Sequence, residues 1–413
     1  MKRILHAFFI LASCLTINAY AADYSVNGFV QGNYSFGTET SNPDGGDFKW
    51  AEERAQLKVE GAQEPVRLFL KADIAFDHID NDAEVELREA YIDLTRERWD
   101  LRAGRQIITW GLGDLVFIND VFPKDYEAFF SGRPLEYLKK GVDAVKAGFY
   151  PDIASFELVV IPFFEPNNFP DSNRFWMFDP LSSVTNRTEQ EPGSTLGNTE
   201  VALRVYRDIA GFDTSIYLYK GFHREPSMLP DSLAAPSRIE LIYPELAVYG
   251  MSLQRSALDG VAGFEAGYYD SLDDRNGSDP LIPNSQTRFL LSYQRQLIED
   301  LSVTLQYYGE YMHDYSEYER TRIVSFPKKP RYRDLTTLRL TYLLLHQNLR
   351  LQWFSFWSPT DRDYLFNPEA KYNFSDNLWA ALGANIFGGQ EDTTQFGSLD
   401  RNDNLYMQAR YEF

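Results

Sequence analysis

The last ten residues of the chain, 404–413, alternate strictly between apolar and polar side chains. One side carries Leu405, Met407, Ala409, Tyr411 and Phe413, and the other carries Tyr406, Gln408, Arg410 and Glu412. Because successive side chains of a β-strand point to opposite faces, this alternation predicts a strand whose faces meet two different environments. Lipid on one face and water on the other fits the pattern, and an edge strand of a soluble sandwich is the alternative.

Segments with the same alternation recur along the chain, separated in turn by short and long connections. Eighteen can be counted, at 24–36, 49–61, 66–77, 85–96, 99–109, 142–150, 154–163, 199–208, 213–222, 244–255, 260–270, 286–297, 301–312, 335–346, 349–358, 363–373, 377–388 and 404–413. They predict an all-β fold, a single transmembrane antiparallel β-barrel over 23–413 with tight turns on the periplasmic side. Sixteen strands is the alternative, because the connection at 358–362 is very short.

The amino terminus has the layout of a secretory signal peptide, predicted to span 1–22. Lys2 and Arg3 precede an apolar stretch too short to cross a bilayer, and Ala19-Tyr20-Ala21 forms a small-x-small cleavage site. Cys14 also fits a lipoprotein cleavage box, which is the alternative reading of this segment. If cleavage follows Ala21 or Ala22, the mature chain has no cysteine and forms no disulfide.

Charged residues occupy one parity of the early strands. In the third strand Leu68, Leu70 and Ile74 point one way, whereas Lys71 and Asp73 point the other. A Lys or Arg on the lipid face near the midplane costs about 2–4 kcal/mol, so the charged set is assigned to the lumen. The predicted wall residues of the pore are Arg54, Lys58, Arg67, Lys71, Asp73 and Arg102.

A barrel of 16 to 18 strands leaves an aqueous channel, which long loops can narrow. Two long connections are rich in aromatic residues, one from about Trp110 to Gly141 and one from Glu165 to Asn198. We expect the first to fold into the barrel mouth as the constriction; the alternative is that both pack on each other as an external cap. The candidate constriction residues are Arg105, Gln106, Asp114, Asp120, Asp125, Glu127 and Arg133.

One sharp motif spans the fifth strand and its loop: Gly104-Arg105-Gln106-x3-Trp110-Gly111-x-Gly113-Asp114, then Asn119-Asp120-x-Phe122-Pro123-x-Asp125. With Glu89-Ala90-Tyr91-Ile92-Asp93-Leu94, it resembles a family of Gram-negative outer-membrane porin-like proteins, mostly of unassigned function. That family is reminiscent of alginate-export-type barrels. The resemblance implies a fold, an outer-membrane location and a transport role, but no substrate. Asp120-Val121-Phe122-Pro123 departs from the family, in which Asn commonly precedes the Pro.

Arg105 breaks the alternation of its strand, because Leu101, Ala103 and Ile107 share its parity and should face lipid. Either a β-bulge at Gly104 re-aims it, or it lies at the outer rim. If it is re-aimed, we expect it to pair with Asp114 or Asp120 and pin the loop in the pore, a structural role rather than a substrate contact.

Enzymatic chemistry is not indicated. The five histidines stand apart from one another, and neither a His-Glu-x-x-His nor a Gly-x-Ser-x-Gly motif occurs. No cofactor or metal ligand set is predicted, since Asp- and Gly-rich segments such as Asp274–Asp279 fit turns. The formal net charge of −20 argues against nucleic-acid binding. It fits a cation-preferring lumen, loops bridged to lipopolysaccharide by divalent ions, or simply solvated acidic loops.

The sequence therefore predicts an outer-membrane channel for passive or weakly selective passage of small hydrophilic solutes or ions. Two alternatives stay open: a conduit for polysaccharide export, and a barrel that sheathes a periplasmic partner such as a cytochrome. Expected partners are outer-membrane lipid, lipopolysaccharide and the barrel-assembly machinery, because a terminal aromatic such as Phe413 resembles the sorting signal of outer-membrane barrels. A monomer is weakly favoured.

Overall fold

The computed structural model describes residues 23–38, 40–324 and 326–413. The predicted signal peptide and Cys14 lie outside the described residues. Eighteen strands form one antiparallel sheet. They are β1 (Asp23–Gly37), β2 (Phe48–Gln63), β3 (Val66–Asp77), β4 (Asp82–Arg96), β5 (Trp99–Gln106), β6 (Val142–Phe149), β7 (Ser155–Ile161), β9 (Glu200–Ile209), β10 (Phe212–Phe222), β13 (Glu245–Ala257), β14 (Gly260–Ser271), β15 (Gln286–Ile298), β16 (Leu301–Met312), β17 (Tyr332–Leu344), β18 (Leu349–Ser358), β19 (Asp363–Asn373), β20 (Leu378–Gly389) and β21 (Asn404–Glu412).

The sheet closes on itself. β1 pairs antiparallel with β2 on one side and with β21 on the other, with Val30 opposite Tyr411 and Tyr34 opposite Met407. Closure leaves no strand edge unpaired, which is the condition for a sheet to cross hydrocarbon. The prediction of an 18-stranded antiparallel barrel is confirmed, and 16 strands is wrong.

The alternation predicted from sequence sets the two faces of the wall. On β21, Leu405 and Met407 are exposed on the outside, whereas Tyr406 and Gln408 are buried inside. On β3, Ile74 is 61% exposed and its neighbour Asp73 is fully buried. The apolar outer face and the polar inner face make this a barrel of the outer-membrane type. Neither helix in the described part of the chain is long and apolar enough to span a membrane.

The remaining elements lie in the long loops. Three short strands, β8 (Arg187–Gln190), β11 (Ser227–Pro230) and β12 (Ile239–Ile242), form a separate small sheet. Among the described residues, two helices are α1 (Tyr126–Phe130) and α2 (Tyr315–Thr321), and 3-10 turns lie at Leu135–Tyr137, Leu196–Asn198 and Gly397–Asn402. The sequence did not indicate the small sheet, because four-residue strands are too short to show a period.

A β-bulge interrupts β4 at Arg88. Lys71 of β3 pairs with Glu89 and Ala72 pairs with Leu87, so Arg88 is the extra residue. A bulge re-aims a side chain, and here it turns Arg88 inward, where it is 4% exposed. The bulge therefore adds an inward-pointing arginine to the lumen.

Candidate functional site

Residues 107–141, which we call the lumen loop, cross the inside of the barrel. At one wall, the carboxylate of Glu265 on β14 accepts hydrogen bonds from the backbone N–H of Leu112 at 2.6 Å and that of Asn119 at 2.8 Å. The side-chain amide of Asn119 donates to the same carboxylate at 3.0 Å. Asp114 pairs with Arg339 of β17. The first half of the loop is thus fastened to β14 and β17.

The second half of the lumen loop is fastened to β20, β21 and β4, further around the barrel. Asn385 of β20 and Asn404 of β21 both donate to the carbonyl of Phe130, at 2.9 and 3.1 Å. Gln408 of β21 donates to the carbonyl of Gly132 at 2.7 Å. The bulged Arg88 donates to the carbonyl of Glu136 at 2.7 Å. The predicted inward-folding loop is confirmed by these contacts with both sides of the lumen.

Two glycines of the sequence motif permit close contacts, Gly111 with the wall and Gly113 within the loop itself. Gly111 has φ of +81°, and a Cβ there would lie 2.6 Å from an Oε1 atom of Glu265. A Cβ on Gly113 would lie 1.9 Å from the carbonyl oxygen of Val116. Gly111 requires glycine for its positive φ and for its contact with Glu265, and Gly113 requires it for the contact with Val116. The motif therefore encodes the fold of the loop on Glu265.

At the height of the lumen loop an apolar cluster lies beside these polar contacts. Side chains of the loop, including Ile118, Phe122, Phe129 and Phe130, belong to one buried cluster with inward-facing residues of the wall. Those wall residues include Leu290, Leu335, Phe354, Phe356, Leu365 and Phe387. Apolar constrictions in pores resist wetting, so the loop narrows the lumen both by its volume and by its chemistry.

Two cavities lie on opposite sides of this apolar layer. The outer cavity, among the long loops, has a volume of about 840 Å³ and is bordered by Tyr126, Phe129 and Phe356. The inner cavity, toward the short turns, has a volume of about 320 Å³ and is bordered by Phe129, Arg350, Lys371 and others. Phe129 borders both cavities and is 8% exposed. Phe129 is therefore a boundary that the two cavities share.

Residues 165–198, the cap loop, pack on the lumen loop from outside. The N–H of Asn168 donates to the carbonyl of Lys124 at 2.8 Å, and the N–H of Tyr126 donates to the carbonyl of Asn168 at 2.8 Å. Arg174 pairs with Asp77 at 2.8 Å. The two loops do pack on each other, as the alternative proposed, but only the cap loop is external.

The predicted wall residues all lie on the inner face. The basic ones are held by carboxylates: Arg54 by Glu52 and Asp73, Lys58 and Arg67 by Glu60, Lys71 by Glu136, and Arg102 by Asp93. Asp73 also accepts a hydrogen bond from the Tyr137 hydroxyl at 3.0 Å, which places it behind the lumen loop. The basic side chains of this arc are therefore compensated in charge, and Lys71 and Asp73 also support the loop.

The predicted residues of the lumen loop mainly make contacts that hold the loop in its fold. Asp120 lies between Lys124 at 2.9 Å and Lys139 at 2.7 Å. Burial lowers the pKa of Lys124, and Asp120 opposes that shift. Asp125 caps α1 by accepting from the N–H of Ala128 at 2.8 Å.

The other three predicted residues are also enclosed. Gln106 is fully buried and donates to the carbonyl of Ala144 at 3.0 Å. Arg133 is stacked between Trp50 and Tyr137. Glu127 accepts from the N–H of Asp171 at 3.0 Å, and burial raises the pKa of its carboxyl.

The contacts of Arg105 differ from the predicted pairing with the lumen loop. It does not pair with Asp114 or Asp120, because both are held by other partners. It stays in the outward parity of β5 at the outer rim, donates to the carbonyl of Leu87 at 2.8 Å, and lies 3.6 Å from Asp143. The bulge is in β4 at Arg88 instead of at Gly104, so Arg88 takes the inward position expected of Arg105.

The sequence missed the residues that fasten the loop and those that border the inner cavity. The alternation along each strand does show that four of these side chains face inward: Glu265, Arg339, Asn385 and Gln408. Nothing in their local sequence says which loop they meet, because their partners lie more than a hundred residues away along the chain.

The sequence matches no protein-family model and no curated protein. Solved outer-membrane porin-like barrels share the fold. Pseudomonas aeruginosa OccK2, solved in complex with glucuronate, superposes with a TM-score of 0.58 at 10% identity, over 95% of this chain and 98% of that one. P. aeruginosa OccD3 gives 0.56 at 12% identity over 94% and 91%. Acinetobacter baumannii OccAB1 gives 0.54 at 9% identity over 95% and 96%. At these identities the likeness establishes the fold, an outer-membrane barrel.

Proposed function

We propose that this protein is an outer-membrane channel for passive or weakly selective passage of small hydrophilic solutes. One observation carries the proposal: the outer and inner cavities lie on opposite sides of the lumen loop and share Phe129 as a boundary. We infer that movement of this aromatic side chain opens a passage between them. Binding cavities for small molecules commonly have volumes of about 300–1,000 Å³, the range of both.

The structural neighbours support the same class of function. OccK2 was solved with glucuronate, and P. aeruginosa OpdK, which superposes with a TM-score of 0.54 at 10% identity over 95% of this chain and 98% of that one, was solved with vanillate. Both ligands are small organic acids. The resemblance over Glu89–Asp125 points to transport as well.

The two alternatives have weaker support. A polysaccharide conduit would use an arc of free basic side chains, but the basic residues on β2, β3 and β5 are paired with carboxylates. A sheath for a periplasmic partner would need a lumen wide enough to admit protein, whereas the lumen loop crosses it from β14 to β20 and β21.

Single-channel recording in planar bilayers tests the proposal. Wild-type protein should conduct weakly, and Phe129→Ala should at least double the conductance, because it removes the aromatic boundary between the cavities. Phe149→Ala is the matched control, since Phe149 is exposed on the outer face and should leave conductance unchanged. If both the wild type and Phe129→Ala are silent, passive passage is refuted and a sheath role is favoured.

A further inference from the structure

The inner cavity carries a positive cluster in a strongly acidic protein. Four basic side chains, Arg133, Arg350, Lys371 and Arg410, border it, against two acidic ones, Glu136 and Glu369. The chain as a whole has a formal net charge of −20. The local sign is therefore the reverse of the overall one.

Two of these basic residues face each other directly. Arg350 on β18 is the cross-strand partner of Lys371 on β19. Like charges directly opposite one another in a sheet are destabilising, and here both point into the lumen. This pairing destabilises the barrel locally, and unfavourable arrangements of charge are common at functional sites.

The cluster is only partly neutralised. Arg350 pairs with Glu369 at 2.8 Å through Nη2, while its Nε has no hydrogen-bond partner. Arg410 pairs with Glu136 and lies 4.0 Å from a carboxylate oxygen of Glu412. Among the described residues, no carboxylate lies within ion-pair distance of Lys371; its Nζ instead lies 3.7 Å from the centre of the Trp379 ring. Arg410 lies over the same ring at 5.1 Å.

We propose that Arg350, Lys371 and Arg410 form an anion-binding site on the periplasmic side of the constriction, with Lys371 as the group that takes the anion. The ligand is the carboxylate or phosphate group of a small solute, and Trp379 supplies a flat apolar wall beside it. An anion between Arg350 and Lys371 would convert the like-charge contact into an attractive one. This inference rests on the proposed function, since it names the solute class that the channel prefers.

Tryptophan fluorescence of the detergent-solubilised protein at low salt tests binding without requiring passage. Inorganic phosphate and acetate serve as separate probes, which distinguishes a phosphate site from a carboxylate site. A saturable change should appear with at least one probe and disappear in Trp379→Phe. Lys371→Gln and Arg350→Gln should each weaken the affinity about tenfold, as expected for the loss of a charge-assisted contact. Lys220→Gln is the matched control, because Lys220 lies exposed in the outward parity of β10 and should leave the affinity unchanged.

Bilayer recording in a KCl gradient tests selectivity. Wild type should show an anion-selective reversal potential, which Lys371→Gln moves toward the cation side and Lys220→Gln does not. The inference is overturned if no probe gives a saturable change, if Lys371→Gln binds like wild type, or if the wild-type channel is cation-selective. A protein that binds phosphate or acetate but never conducts would refute passage and leave the anion site standing.

Discussion

Glu265 on β14 accepts hydrogen bonds from both the backbone N–H and the side-chain amide of Asn119, at 2.8 and 3.0 Å, across the lumen loop. The carboxylate is 1% exposed and also holds the N–H of Leu112. Hydrogen bonds to a charged group contribute about 1.5–3 kcal/mol each, so this one side chain accounts for much of the attachment of the loop to β14.

Glu265→Gln should loosen the lumen loop, because an amide cannot accept from all of these donors. We expect a higher mean conductance and more current noise than in wild type, measured on single channels. Glu299→Gln in an exposed periplasmic turn should behave like wild type. Unchanged noise in Glu265→Gln would show that the other contacts suffice to hold the loop.

Deleting residues 126–138 should raise conductance several-fold, because α1 and the aromatic layer are removed from the lumen. The ends of the excised segment are adjacent: the N–H of Asp125 donates to the carbonyl of Leu138 at 2.7 Å. Deleting 232–236, whose flanking Asp231 and Ser237 are joined by a 2.8 Å hydrogen bond, is the control in an exposed hairpin. Equal conductance in the two deletions would mean that 126–138 do not limit flow.

Arg88→Ala should disturb the channel more than Arg105→Ala. Arg88 loses a 2.7 Å hydrogen bond to Glu136 and its stacking on Tyr137, together about 1–3 kcal/mol. Arg105 loses a 2.8 Å hydrogen bond to the carbonyl of Leu87, and contacts with Asp143 and Glu165 at 3.6 and 3.8 Å that are worth at most about 1 kcal/mol. None of these partners belongs to the lumen loop, so their loss leaves the loop in place. Current noise of single channels, recorded for both variants, measures the disturbance. A larger change for Arg105→Ala would show that Arg105, and not Arg88, holds the lumen loop.

Packing of the cap loop on α1 should tighten as the pH falls. Burial holds the pKa of Glu127 above its ordinary value, so protonation favours the packed state. This contribution is fully present below the ordinary glutamate pKa and is lost as the pH rises through the raised one. Hydrogen exchange of residues 165–176, corrected for intrinsic rates, should show stronger protection at pH 5 than at pH 8.

Glu127→Gln should abolish that difference, because the amide does not titrate in this range. Glu225→Gln, a carboxyl that borders the outer cavity, is the control and should keep the wild-type pH dependence. A pH effect that survives in Glu127→Gln would assign it to another group.

The strand count and the facing of the wall were predictable because they depend on local alternation. The sequence of one strand is enough to show that Leu405 faces outward and Tyr406 inward, or that Ile74 faces outward and Asp73 inward. No knowledge of the adjacent strands is needed. Arg105 shows the limit of this rule, since its surroundings are set by a bulge in the adjacent strand that nothing in the sequence of β4 marks.

Contacts across the lumen were not predictable from the same pattern. Inward parity placed Arg54 and Arg102 in the lumen, but it did not show that carboxylates on neighbouring strands neutralise them. Arg350 and Lys371 meet only because the turn between β18 and β19 sets their register. The loop was expected in the pore, whereas its attachment to Glu265 depends on folding that brings distant segments together.

The junction of β1 and β21 has a consequence for biogenesis. Gly28 and Phe413 exchange two backbone hydrogen bonds, each of 2.9 Å, so the pairing of β1 with the segment at β21 completes the cylinder. Until β1 and β21 pair, the sheet has two edge strands whose unpaired backbone groups can bind other chains. A chain truncated before β21 would keep both edges. Such a fragment should aggregate in the periplasm instead of inserting, which makes the pairing of β21 with β1 the step that commits the whole molecule to the membrane.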